Sequence, residues 1–376
     1  MSPNFAALLA LLHDGVREGR IAGAVALAEH AGQTLHLEST GWLDASRSQT
    51  MPLDARFWIA SMTKPVTTVA ALTLVEQGHL QLSDAVTAHL PELHNQRLVD
   101  GSEPPSPMTV LDLMRHTTGL TYGFMGGDAV RSAYVQAKAI DYSQSNADMV
   151  SKLARLPLLH EPGTVFEYSM ATDVLGRVVE ACTGQPLGEV MRERIFAPLG
   201  MESTGFEVRS DAAHLIARPL PHESFDLAPP PQGARWQSGG AGLWSTARDY
   251  ARFARMLLDD GCFEGRQVLQ ASTVRQMRQN CLPEAVHYGE HTENLGSVAP
   301  LPKNGRGFGL GLSVRLRDAA GQPPGHVGDF SWPGFSGTNF WCDPATGQVV
   351  VVMMQAPSQR LYYRDAARHA VYAEKS

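Results

Sequence analysis

Phe57-Trp58-Ile59-Ala60-Ser61-Met62-Thr63-Lys64-Pro65-Val66, continuing as Thr67-Thr68-Val69-Ala70-Ala71-Leu72-Thr73-Leu74-Val75, fills the chain between Arg56 and Glu76, and Lys64 is its only ionisable side chain. A buried ammonium without a partner is costly, so a lone lysine in such a run has either a partner or a chemical task. Ser61 stands three residues before it. In a helix that begins at Ser61, residues i and i+3 share a face, which sets a hydroxyl beside an amine: a nucleophile next to a base. Pro65 suits the first turn, where its missing N–H costs no intrahelical bond. From Val66 to Val75 the helix is apolar on every side, as expected in the middle of a protein. Lys64, Pro65 and four threonines exclude a membrane span.

Composition narrows the field around this helix. At 376 residues the chain can bury one large core or two lobes. Its 31 basic and 38 acidic residues nearly balance, and no basic tract is interleaved with aromatics, so nucleic acid is not an expected partner. Cys182, Cys262, Cys281 and Cys342 are scattered and form no CxxC pair, which reads as reduced, mostly buried thiols. Phe5 to Leu12 is apolar but follows no basic region, so it reads as an amphipathic helix. A cytoplasmic enzyme without a membrane partner is the expectation; the oligomeric state is not readable.

Along the chain, a helix from about Asn4 to Glu18 precedes two strands, Ala22 to Glu29 and Thr34 to Gly41, that turn at Ala31-Gly32. Past the buried helix, helical pieces alternate with long loops as far as Gly239: Asn146 to Leu156, Asp173 to Thr183 with its stop at Gly184, and Leu187 to Phe196. Thr246-Ala247-Arg248-Asp249 has capping-box spacing and opens a helix running to Asp260. Strands return at Gly309 to Leu316, Thr338 to Cys342 and Val349 to Gln355, and a helix from Arg360 to Ala373 closes the chain. Strands at both ends with helices between them predict an α/β domain made of residues 1–83 and 241–376, with a mainly helical domain, 84–240, inserted.

Ser61-Met62-Thr63-Lys64 is the only S-x-x-K in a chain with five lysines. Alone the motif is short; its companions supply the specificity. Trp58 to Lys64, Leu111-Asp112-Leu113-Met114-Arg115-His116-Thr117-Thr118-Gly119-Leu120, Pro162 to Tyr168 with Ser169, Pro198-Leu199-Gly200-Met201, and Gly239-Gly240-Ala241-Gly242-Leu243 with Ser245 and Thr246 follow one another across the chain. In these stretches, and in Trp332-Pro333-Gly334-Phe335-Ser336-Gly337-Thr338, the sequence resembles the class C β-lactamase-like serine hydrolases, most closely the S-x-x-K carboxylesterases of family VIII. The resemblance implies an α/β (α+β) transpeptidase-like fold, an antiparallel sheet flanked by helices with an inserted helical lobe. It implies Ser61 as the acyl-accepting nucleophile, Lys64 as neighbouring base, and Tyr168 as the tyrosine of a Y-x-N motif. It places the oxyanion hole at the backbone N–H groups of Ser61 and Phe335, and implies no cofactor and no metal.

The chemistry agrees: a serine hydroxyl needs an adjacent base, and a phenol serves as one only with cationic help or as a proton relay. Which of Lys64 and Tyr168 takes the serine proton stays open. Two positions depart from the family pattern. Met170 stands where Y-x-N has asparagine, removing an amide that could bind a substrate amide. Trp332, before Pro333 and Gly334, stands where β-lactamases carry the lysine of K-T-G, which exchanges a cation for an apolar wall. Trp332, Gly334 and Met170 are therefore the expected substrate-binding residues, and a small-molecule ester of short to medium chain the expected partner. Acyl transfer, or amide, β-lactam or D-peptide hydrolysis, begins with the same acylation; a non-catalytic binding or assembly protein of this fold is the reading from another class.

Plainer roles stand beside these. Ser61 could cap a helix, Tyr168 could be a core tyrosine, Trp332 could simply pack, and His116, without a partner motif, reads as structural. His287-Tyr288-Gly289-Glu290-His291 matches the H-x-x-E-H zinc signature, but that chemistry needs both histidines on one helix face, and Gly289 makes a helix there doubtful.

Overall fold

The computed structural model describes residues 4–223 and 228–373. Its centre is a seven-stranded antiparallel sheet in the order Gln33–Gly41, Gly23–His30, Gln348–Met354, Asn339–Asp343, Phe330–Ser331, Ser313–Arg315, Arg306–Phe308. Hairpin neighbours account for most of that order. The exception is the pairing of Gly23–His30 with Gln348–Met354, Ala24 opposite Met354 and Leu27 opposite Val351, which joins the two ends of the chain.

These two central strands read as nearly continuous apolar runs because both of their faces are covered. Ala24, Ala26, Ala28, Val350, Val352 and Met354 face a layer formed by the helices Phe5–Arg17 and Arg360–Tyr372. The alternate residues, Val25, Leu27, Val349, Val351 and Met353, face the main core. Each fully buried valine or leucine adds about 1.5–3 kcal/mol of hydrophobic stabilisation. The Gln33–Gly41 edge strand is exposed or half-buried at every residue but Thr40, and its polar residues suit that place.

The run that decided the fold forms the helix Thr63–Glu76, buried from Thr63 to Leu74. It starts two residues later than its pattern predicts, because Ala60–Met62 is a tight 3₁₀ turn leading into it. Its threonines are not misplaced polar residues. Thr67 Oγ1 donates to Gly239 O at 2.6 Å, Thr68 Oγ1 to Lys64 O at 2.9 Å and Thr73 Oγ1 to Ala70 O at 2.7 Å, so no hydroxyl is buried unsatisfied there.

Other elements fall near their expected positions, including Ala171–Thr183, ended by Gly184 in the left-handed region, and Ala247–Leu258, whose N-cap Thr246 accepts from Asp249 N. One expectation fails. Gly309 to Leu316 is not one strand: Gly309 to Leu312 is the turn between Arg306–Phe308 and Ser313–Arg315. Gly311 takes φ +72°, and a Cβ there would sit 2.5 Å from Thr68 Oγ1, so this turn packs directly on the buried helix and needs glycine. Leu187 to Phe196 is helical throughout but widens to a π-turn over Arg192–Phe196. The two-residue strand Phe330–Ser331 is too short to leave a periodic signal.

Candidate active site

Ser61 is placed by a short strand, a strained turn and the buried helix in succession. Phe57–Trp58 pairs with Trp244–Ser245, and Ile59 N donates to Leu243 O at 3.0 Å. Ala60 then adopts φ +43°, a conformation uncommon outside glycine that occurs preferentially where structure holds it for function. The segment 332–338 is stapled to the same place from the sheet. Ser336 Oγ donates to Trp58 O at 2.6 Å, Thr338 Oγ1 to Ile59 O at 3.2 Å, and a Cβ on Gly334 would lie 2.5 Å from Ile59 O. Gly334 is therefore glycine because two backbones meet there, and the contact brings Phe335 to the edge of the cleft that holds Ser61.

Lys64 is fully buried, and its ammonium has the partners its sequence context demanded: Ser61 Oγ at 3.4 Å, Tyr122 OH at 3.0 Å and the Gly240 carbonyl at 2.9 Å. Behind Tyr122 lies the buried Asp173, which accepts from Ser238 Oγ at 2.5 Å and from Gly240 N at 3.0 Å. Burial raises the Asp173 carboxyl, with Lys64 the main opposing influence. Burial pushes the Tyr122 phenol well up, and Asp173 and Tyr168 push it further, so Tyr122 stays a neutral hydroxyl between Lys64 and Asp173. Neither Tyr122 nor Asp173 was expected from sequence. Tyr122 sits alone in a loop just past Leu120, and Asp173 looks like an ordinary first-turn helix acid.

The Tyr168 hydroxyl is 2.6 Å from Ser61 Oγ, and its ring lies 4.6 Å from the Lys64 ammonium. Its neighbour fixes it. Glu167 is buried with Arg131 Nη2 at 2.7 Å and Thr121 Oγ1 at 2.9 Å, and its N–H donates to His116 O at 2.9 Å. The His116 ring contacts Tyr168 edge-on at 5.0 Å, and its Nδ1 is 3.4 Å from Ser169 Oγ. Burial, and secondarily Lys64, drives the His116 pKa well below its usual value, so this histidine is a neutral packing group.

A cleft of about 480 Å³ opens over Ser61 and Tyr168. Trp332 and Gly334 line it as expected, though Trp332 is 1% exposed and packs edge-on against Tyr168 and Phe308 at 5.2 and 5.1 Å, so wall and packing are one role. Met170 does not line it. As the N-cap of Ala171–Thr183 it is fully buried in the main core, so its side chain is packing and not a substrate contact. Sequence reasoning also missed the cationic part of the lining, Arg360 and Arg364, which the final helix brings in.

The H-x-x-E-H stretch is not a helix. His287–Tyr288 is a strand paired in parallel with Val165–Phe166, and the described residues hold no group of three His, Cys, Asp or Glu side chains placed for a metal. Gly289 has another use: a Cβ there would fall 1.8 Å from Glu167 Oε2. No helix among the described residues is long and apolar enough to cross a membrane.

A sheet closed by both chain ends, with Ser-x-x-Lys at the head of its buried helix, defines the transpeptidase-like fold of serine acyl-enzyme proteins. The chain belongs to the β-lactamase family, whose model matches residues 8–374. It is 37% identical to protein Rv1367c of Mycobacterium tuberculosis over 90% of this chain and 86% of that one. It is 32% identical to esterase EstB of Burkholderia gladioli over 98% of this chain and 95% of that one. Among solved structures, EstCE1, described as a hydrolase with promiscuous acyltransferase activity, superposes with a TM-score of 0.83 at 28% identity, covering 98% of both chains.

Proposed function

We propose that the protein is a serine carboxylesterase of the family VIII kind, acting on short- to medium-chain esters through an acyl-enzyme on Ser61. The observation that carries this reading is the convergence of Tyr168 OH and Lys64 Nζ, at 2.6 and 3.4 Å, on one serine oxygen at the floor of a cleft. Similarity to proteins named as esterases supports it. In this reading the resting Lys64–Tyr168 pair carries one proton fewer than ammonium plus phenol, and Ser61 Oγ attacks the ester carbonyl carbon as its own proton passes to that vacant site. The negative charge on the carbonyl oxygen is met by the N–H groups of Ser61 and Phe335. Collapse expels the alcohol, which takes that proton, and water repeats the sequence to release the acid and restore Ser61. Tyr122, with Asp173 behind it, holds the Lys64 side chain on the serine. An alcohol replacing water gives acyl transfer by the same steps. The cleft is lined by residues between Tyr122 and Asp173 with Trp236 and Ser238, and by Ser61, Ala241, His291, Asn294, Leu295, Val298 and residues between Trp332 and Arg364, which fits an active site between an inserted lobe, 84–240, and the sheet domain, 1–83 with 241–376.

A serine-directed phosphonate should label the protein with one equivalent, and peptide mapping should place the label on Ser61. Label on another serine, or none, would remove the mechanism and favour a binding protein. On the same preparation, kcat/KM for a butyryl ester should exceed that for a cephalosporin by at least about 10²-fold. The apolar Trp332 stands where β-lactamases of this kind carry the lysine of K-T-G, so that position offers a cephalosporin no cation, although Arg360 and Arg364 also line the cleft. Faster cephalosporin turnover would show the substrate class to be wrong.

A further inference from the structure

Two pairs of consecutive residues meet beside the serine. Thr121 precedes Tyr122, which accepts from Lys64 Nζ at 3.0 Å, and Glu167 precedes Tyr168, whose hydroxyl is 2.6 Å from Ser61 Oγ. The two tyrosine rings touch edge-on at 5.4 Å, and both line the cleft. Thr121 and Glu167 do not line it, but they meet as well: Thr121 Oγ1 donates to Glu167 Oε1 at 2.9 Å. One hydrogen bond, buried at both ends, therefore sets the register between the two segments that carry the tyrosines.

The carboxylate in that bond is itself held from every side. Arg131 Nη2 donates to the same Oε1 at 2.7 Å. Arg131 belongs to the helix Ala129–Gln136, whose N-cap Asp128 accepts from Arg131 N at 2.9 Å and is paired with Arg131 Nη1. His160 Nε2 lies 3.7 Å from Glu167 Oε2. The stretch that matched H-x-x-E-H closes the remaining side: Gly289 N donates to Phe166 O at 2.9 Å, and Gly289 leaves no room for a Cβ against Oε2. Burial alone would raise the Glu167 carboxyl, but His160 and Arg131 hold it below its usual value, so it is ionised at neutral pH.

A tyrosine that only packs needs no buried ion pair beside it. Burying Glu167 and Arg131 carries a desolvation cost that an apolar pair of similar volume avoids, and what the charged pair adds is a fixed direction for each hydrogen bond. That direction is spent on Thr121 and on the backbone that leads into Tyr168.

We infer that Glu167 is a positioning residue of the acylation site: held by Arg131, it clasps Thr121 and so sets Tyr168 against Ser61 and, secondarily, Tyr122 against Lys64. The inference rests on the reading of Ser61 as the acylated nucleophile and Tyr168 as its proton partner. A misplacement of about 1 Å in a reacting group costs about 10²-fold in rate, so loosening the clasp acts on kcat without any contact to substrate.

A double-mutant cycle between Glu167→Ala and Tyr168→Phe tests this, read as kcat for p-nitrophenyl butyrate per folded molecule, the folded fraction taken from circular dichroism. In the wild-type background Glu167→Ala should lower kcat about tenfold or more while KM stays within about threefold. Glu167→Gln, which keeps an acceptor oxygen at the same reach, should recover most of that loss. In the Tyr168→Phe background Glu167→Ala should cost at most about threefold, the part carried by Tyr122, because the hydroxyl it positions is already gone. A merely structural role would shift the urea midpoint and leave the two losses in kcat equal. Should Glu167→Ala not fold, Thr121→Val removes only the clasped hydroxyl and is read by the same cycle, with a loss of about threefold or more expected in the wild type and a smaller one in Tyr168→Phe. Equal losses in the two backgrounds, or a folded variant within about twofold of wild-type kcat, overturn the inference and leave the esterase reading intact. A wild type that turns over no ester and takes no label on Ser61 overturns both.

Discussion

Replacing Lys64 by alanine should lower kcat for a neutral ester by at least about 10²-fold, and Tyr168→Phe should do so by a similar factor, the range expected when a general acid or base is lost. Tyr168→Phe removes the single hydroxyl 2.6 Å from Ser61 Oγ while leaving the ring against His116 and Trp332, so its effect belongs to proton transfer and not to packing. Lys64→Ala does more. It takes away the ammonium at 3.4 Å from the serine and also the main positive charge acting on the buried Asp173. Its circular dichroism and unfolding curve should therefore be compared with the wild type before its rate is interpreted. Tyr122→Phe, which loses one of three partners of the ammonium, should cost less than either. Near wild-type kcat in a folded Lys64→Ala or Tyr168→Phe protein would remove that residue from the mechanism.

The parts of this site that sequence made legible share one property: their meaning lies within a few residues. Ser61 and Lys64 are three apart on one helix, and the lysine is conspicuous because nothing near it in sequence is charged. The Thr246 cap, three residues before Asp249, is local in the same way. What stayed hidden depends on partners far along the chain. Met170 appeared to face substrate because it follows Tyr168 by two residues, but the start of the Ala171–Thr183 helix turns it into the core. The Arg360, Arg364 and Arg368 stripe looks like a solvated helix face, and no local pattern tells that it is buried. The carboxylate that pairs with Arg368 comes from Asp329, 39 residues before it. Gly309 to Leu316 failed differently: Leu310 and Leu312 keep the apolar rhythm of a strand while their glycines turn the chain.

Asp329→Asn should lower the free energy of unfolding at neutral pH by about 3–5 kcal/mol, the cost typical of breaking a buried ion pair from one side. The Asp329 side chain is fully buried and holds three guanidinium groups: Arg306 Nη2 at 2.8 Å, Arg315 Nε at 2.7 Å and Arg368 Nη1 at 3.2 Å. These arginines come from the two strands of the Gly309 to Leu312 hairpin and from the final helix, so one carboxylate ties the far edge of the sheet to the layer that covers it. Among the described residues only Arg315 has a second carboxylate, the exposed Asp318 at 3.8 Å. Arg306 is itself pushed down to about 10 by burial, which outweighs the help of Asp329, and its Nε and Nη1 have no other partner among the described residues. Burial alone would raise the Asp329 carboxyl, but Arg368, Arg306 and Arg315 together hold it well below the usual carboxylate range. Because the folded-state value is depressed, the stabilisation is fully present above the unfolded value of about 4 and is lost progressively as pH falls below it. Urea unfolding of the wild type and Asp329→Asn at pH 7 should therefore show the full difference, and the gap should narrow as the series is carried below about pH 4. A variant within about 1 kcal/mol of the wild type at pH 7 would mean that water or rearranged arginines compensate, and that this carboxylate does not hold the sheet edge to the final helix.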